Sequence, residues 1–133
     1  MSQENVEIWR KAMEAINRRD RDAWLALHDR EFEFRADPKW PESGTVRGPE
    51  AAWDFVASLV EAWVQDDVVM VEVIDAGADK LVARFRRPVQ GKTSGIADVL
   101  DYWCVGTFRR EKVLSQHWFA SRADALEAAG LSE

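Results

Sequence analysis

The residues whose types could do chemistry fall in two stretches. One is Arg35-Ala36-Asp37-Pro38, with Trp40 close behind; the other, near the end of the chain, holds Tyr102, Cys104, Gln116, His117 and Trp118. An aspartate enclosed in an apolar cavity can move a proton between carbons if its pKa is raised and the oxygens of its substrate are stabilised. Asp37 has the side chain for that work, and it is equally suited to closing a turn before proline. Arg35 could pair with a ligand carboxylate or enolate, or with its neighbours Glu33 and Asp37. Cys104 has no histidine adjacent in sequence and reads as a small core hydrophobe. The two histidines, His28 and His117, belong to no short ligand motif. No metal site and no cofactor is expected.

Seven tryptophans stand in 133 residues, enough to ask which of them serve packing alone. Trp9, Trp24, Trp53 and Trp63 fit the apolar faces of helices. Trp40, in an irregular loop, and Trp118, on a strand, are placed to touch a flat apolar ligand.

The elements that must position these groups follow from periodicity. Val6, Trp9, Met13 and Ile16 recur every three or four residues and predict a first helix. Asp20 is a plausible N-cap for a second, with Ala23, Trp24 and Leu27 facing inward. At Glu31 the period changes to two, Phe32 and Phe34 alternating with charged residues, and Asp37-Pro38 ends that strand. Gly48-Pro49 opens a third helix bearing Ala52, Trp53, Phe55, Val56, Leu59, Val60 and Trp63. Four strands then form an antiparallel meander, Val68 to Ile74, Leu81 to Val89, Ala97 to Phe108 and Val113 to Ala120. Ser121 and Asp124 resemble a capping box for a short last helix stopped by Gly130. The predicted order is ααβαββββα, an α+β domain. By alternation Leu100, Tyr102, Cys104 and Gly106 share one strand face, and Leu114, Gln116, Trp118 and Ala120 share another.

That order is similar to the cone-shaped fold of the nuclear transport factor 2-like superfamily, in which a curved mixed sheet is wrapped by N-terminal helices around a pocket. Asn17-Arg18-Arg19-Asp20-Arg21-Asp22-Ala23-Trp24, Val46-Arg47-Gly48-Pro49-Glu50-Ala51 and the ending Ala125-Leu126-Glu127-Ala128-Ala129-Gly130-Leu131 resemble segments of SnoaL-like, polyketide cyclase-like members. Together they cover nearly the whole chain and report scaffold rather than reaction. The resemblance to ketosteroid isomerases sets Asp37 at the place of their general base, while a two-residue shift sets Arg35 there. It puts Ala12 and Cys104 where their oxyanion-binding tyrosine and aspartate would be, so steroid isomerisation is not expected. It also makes the Tyr102 and Gln116 faces concave and turns His117 outward. The implied ligand-binding residues are Arg35, Trp40, Tyr102, Cys104, Gln116 and Trp118. The implied function is binding of a small apolar or aromatic molecule, with two alternatives: a cofactor-independent isomerase, cyclase or dehydratase using Asp37, or a protein-interaction module with a filled cavity.

Composition bounds the rest. Absence of any linker or repeat predicts one domain over residues 1–133. A net charge of −6 argues against nucleic acid and anionic membrane as partners, and Arg84, Arg86 and Arg87 read as a solvated face. The acidic start, lacking an apolar run, and the single cysteine fit a cytoplasmic protein. Apolar Val99, Trp103, Val105, Val113 and Phe119 on the outer sheet face predict a homodimer.

Overall fold

The computed structural model describes residues 3–39, 44–60, 63–65 and 67–131, with side chains placed for all of these except 59, 60 and 63–65. Trp40 and the side chain of Trp63 lie outside this set. Helix α1 is Gln3–Asn17 and α2 is Arg21–Ala26, followed by strands β1 His28–Arg35 and β2 Thr45–Arg47. Helix α3, Pro49–Val60, leads to β3 Trp63–Gln65, β4 Val69–Asp75, β5 Lys80–Gly91, β6 Ala97–Arg109 and β7 Lys112–Phe119, and α4 Arg122–Ala128 ends the order. The two additions to the predicted order are β2 and β3, three residues each, too short for an alternating pattern to show.

Among the described residues the strands form one mixed sheet ordered β2-β1-β7-β6-β5-β3, with β4 sharing the edge of β5 with β3. β1 and β7 run parallel and the other pairs antiparallel. None of the described helices is long and apolar enough to cross a membrane.

The junction motifs have concrete jobs. Asn17, at the end of α1, clamps Val68 from both sides: its Nδ2 donates to the Val68 carbonyl at 3.1 Å and its Oδ1 accepts the Val68 N–H at 2.9 Å. Three residues on, the Asp20 carboxylate accepts the Ala23 N–H at 3.1 Å and caps α2. Gly48 takes φ +90°, a conformation that side-chain-bearing residues rarely adopt, and its N–H donates to the Phe32 carbonyl before Pro49 starts α3. Ser121 caps α4 by accepting the Asp124 N–H.

Two cores result. The inner one joins Trp9 and Met13 of α1, Trp24, Phe32, Phe34, Phe85, Cys104 and Phe108. Trp9 lies directly over Gly106, where a Cβ would come within 2.9 Å of the indole. The outer core lies under α4, whose Ala125 and Leu126 cover Val82, Trp103, Val105 and Phe119.

This second core changes the reading of the outer face. Trp103, Val105 and Phe119 are buried within the chain, because α4 folds back over the strands that precede it. Val113 belongs to the inner core. The β6–β7 register shifts between Thr107 and Phe108, which pair with Ser115 and Val113 respectively, so Leu114 is skipped and Val113 turns to the helix side. Of the five residues expected to make a dimer face, Val99 is the one left exposed, at 43%.

Candidate functional site

Alternation on β5, β6 and β7 decides what the helices enclose. Reading across the sheet, Phe85 pairs with Tyr102, Ala83 with Cys104 and Cys104 with Trp118, while Gly106 pairs with Gln116 and Gln116 with Phe34 of β1. This concave set faces α1, α2 and α3, which hold their apolar faces off the sheet far enough to leave a cavity of about 180 Å³.

Phe34, Phe85, Leu100, Tyr102, Gln116 and Trp118 form the sheet side of the cavity. Met13, Ile16, Trp24 and Val56 form the helix side, and Val68, held by the Asn17 clamp, closes one edge. The rings support one another. Trp118 lies 5.3 Å from Phe85 and 6.2 Å from Phe34, centroid to centroid, and Trp24 contacts Phe32 edge-on and Trp53 at 5.5 Å. Such contacts fix the wall before any ligand arrives.

Polar groups on this wall are few. Gln116 is 3% exposed, and its Nε2, like the indole N–H groups of Trp24 and Trp118, has no acceptor among the described residues. Arg87 borders the cavity as well, since it shares the inward face of β5 with Ala83 and Phe85. Burial, and then the nearby charge of Arg19, lowers its pKa to about 10 against the opposing charge of Asp67, which still leaves it cationic at neutral pH. The solvated-face reading of the arginines therefore holds for two of three. Arg84 and Arg86 pair with Asp101 on the outer face, at 2.6 and 3.5 Å, though Arg86 also borders the cavity. The parity of Arg87 with Phe85 was the available signal, hidden because three basic residues so close together look like one surface patch.

Tyr102, Gln116 and Trp118 are thus brought together, and three other expected site residues are not. Asp37 is 2% exposed but does not line the cavity. Its Oδ1 accepts the Lys39 N–H and its Oδ2 the Ala120 N–H, both at 2.9 Å, so the carboxylate ties the loop after β1 to the end of β7. These contacts fit the turn reading, and what Asp37 borders instead is an open groove with Pro38, Lys39, Phe119 and Asp124. Arg35 is exposed on the outer side of β1, its Nη2 donating to Glu33 Oε2 at 3.2 Å. Cys104 sits fully buried in the inner core, and that burial pushes its thiol pKa well above the usual value.

His28 is packed, at 2% exposed. Its Nδ1 lies 2.6 Å from the Trp24 carbonyl, which requires the proton on Nδ1, and its ring stacks on Trp24 at 3.7 Å. Burial lowers its pKa to about 4, partly offset by that hydrogen bond. His117 points outward beside Phe119, as alternation predicts, with its pKa lowered by desolvation and then by Arg35. Among the described residues no three His, Cys, Asp or Glu side chains are placed to hold a metal ion.

Residues 9–116 match the family model described as SnoaL-like domain. Solved structures share the fold across nearly the full length. An NTF2-like protein from Burkholderia xenovorans LB400 is 23% identical, with 97% of each chain covered and a TM-score of 0.75. TerC, co-crystallised with polyporic acid, is 19% identical over 96% of this chain and 99% of its own, at a TM-score of 0.76. A protein from Catenulispora acidiphila DSM 44928 with a ketosteroid isomerase-like fold, in complex with trimethylamine, is 16% identical over 98% and 95%, at 0.71. No curated protein matches the sequence significantly.

Proposed function

Because the chain belongs to the SnoaL-like domain family, whose fold hosts several chemistries, we propose that it binds a small, mostly apolar aromatic molecule in the cavity between helices and sheet. The observation that carries this is the wall itself: rings of Trp24, Phe34, Phe85 and Trp118 around open space, with Tyr102 and Gln116 as orienting polar groups. Pockets for drug-sized ligands run to about 300 Å³ or more, whereas an apolar cavity of about 150 Å³ takes benzene. At about 180 Å³ this one suits one or two fused rings, not a steroid. The open cavity favours this reading over a protein-interaction module, for which a filled interior was expected. Among the described wall residues there is no carboxylate or imidazole to act as general base, which weighs against the enzyme reading with Asp37.

A homodimer is part of the proposal only through apolar residues that α4 leaves open, Val99 on β6 and Ile96 just before it. Intrinsic fluorescence tests the binding reading. Titrating one- and two-ring aromatics should change tryptophan emission, and Trp118→Ala should remove most of the change and weaken binding about tenfold or more, since the indole that the ligand would lie against, tilted on Phe85 and Phe34, is lost. A broad panel in which nothing binds, or an unaltered response in the variant, would refute the site.

A further inference from the structure

The groups on the cavity wall that lack a partner are donors. Gln116, 3% exposed on β7, has an Nε2 with no acceptor among the described residues, and so do the indole N–H groups of Trp118, two residues on, and of Trp24 on the helix side. An amide can be turned to present either end, but an indole nitrogen only donates. His28 Nε2, a buried nitrogen left to accept because Nδ1 holds the proton, lies off the wall. Arg87 makes no case for an anion, since it and Asp67 each hold an interaction and the Asp67 charge opposes that of the guanidinium. The wall therefore asks for an acceptor without a charge. Gln116 stands between Phe34 of β1 and Gly106 of β6, so one neighbour is a ring and the other has no side chain. Gln116 and Trp118 share one face of β7, about 7 Å apart along the strand, close enough for both side chains to meet one ligand atom. The last torsion of a glutamine is broad, so its N–H turns to a ligand at little cost.

Resting on the small-molecule reading above, we infer that the ligand is a neutral aryl carbonyl compound, its oxygen accepting the N–H groups of Gln116 and Trp118 while its rings lie against Phe34 and Phe85. A hydrocarbon would use only the rings and leave the buried donors unpaired, which is costly. A carbonyl oxygen has two lone pairs and takes two donors, whereas a ring nitrogen has one and a hydroxyl brings a further donor to a wall where donors are already unpaired.

The test compares 1-indanone with 1-methyleneindane, alike in shape and differing in C=O against C=CH2, titrated into the full chain at pH 7 and followed by two-dimensional 1H–15N NMR. Indanone should bind about tenfold more tightly, and it alone should move the Gln116 side-chain amide and Trp118 indole N–H resonances downfield. In Gln116→Leu the two probes should bind within about threefold of each other, and Trp118→Phe, which keeps a ring and loses the N–H, should remove part of the preference. Equal binding of both probes to the native chain would overturn the carbonyl inference and leave the small-molecule reading standing. Failure of both to shift any resonance up to their solubility limits would overturn both. A full preference surviving in Gln116→Leu would take the role away from Gln116. Circular dichroism verifies folding, and if the leucine variant does not fold, Gln116→Met makes the same comparison.

Discussion

Replacing Asp37 by asparagine separates a structural carboxylate from a catalytic one. Both oxygens accept backbone N–H groups at 2.9 Å, from Lys39 and from Ala120, and the residue is 2% exposed. Asparagine can replace one acceptor with a neutral one, but its NH2 must then face the other N–H, donor against donor. Hydrogen bonds to charged groups contribute roughly 1.5–3 kcal/mol each, and a buried donor without an acceptor costs about 1–3 kcal/mol. A loss near 2 kcal/mol is the central expectation, with Asp37→Ala costing more because both N–H groups then lack acceptors. With an unfolding entropy of roughly 2.1 cal/mol/K per residue over 133 residues, about 2 kcal/mol lowers Tm by about 7 °C. Thermal unfolding followed by circular dichroism measures this directly. Affinity for 1-indanone, read at a temperature where both proteins are folded, should change less than about twofold, because Asp37 does not line the cavity. An unchanged Tm would refute the structural role, and a large affinity loss at unchanged Tm would return Asp37 to the site.

Two further substitutions probe the scaffold of the cavity. Gly106→Ala should destabilise the protein by about 1–3 kcal/mol, the usual cost of overpacking, because the new methyl meets the fully buried Trp9 indole at 2.9 Å; a denaturation midpoint equal to or above the native one would show that the indole can yield. His28 makes stability fall in acid: its folded pKa is about 4 against an ordinary 6.5, so the unfolded chain takes up the proton first and stability, full above pH 6.5, declines as pH drops toward 4. The decline attributable to it is of order 3 kcal/mol, and His28→Leu should flatten most of that slope, His117 retaining a smaller share; an identical pH profile for the variant would refute the assignment.

What the sequence determined by itself is local. Periodicity of three to four residues in α1 and of two in β1 depends on neighbours along the chain, as do the caps at Asp20 and Ser121 and the Gly48-Pro49 helix start, and all of these are legible without coordinates. The faces of Tyr102, Gln116 and Trp118 follow from the same alternation. What only the tertiary structure decided is who meets whom. The Asp37 carboxylate is spoken for by an N–H 83 residues away at Ala120, and no local pattern records that. The skipped Leu114 is a property of a strand pair, and it moved Val113 between cores. The burial of Trp103 and Phe119 needed α4 to fold back over the sheet. Arg87 shares parity with Phe85, but that it borders the cavity depends on the packing of elements that lie far apart in sequence.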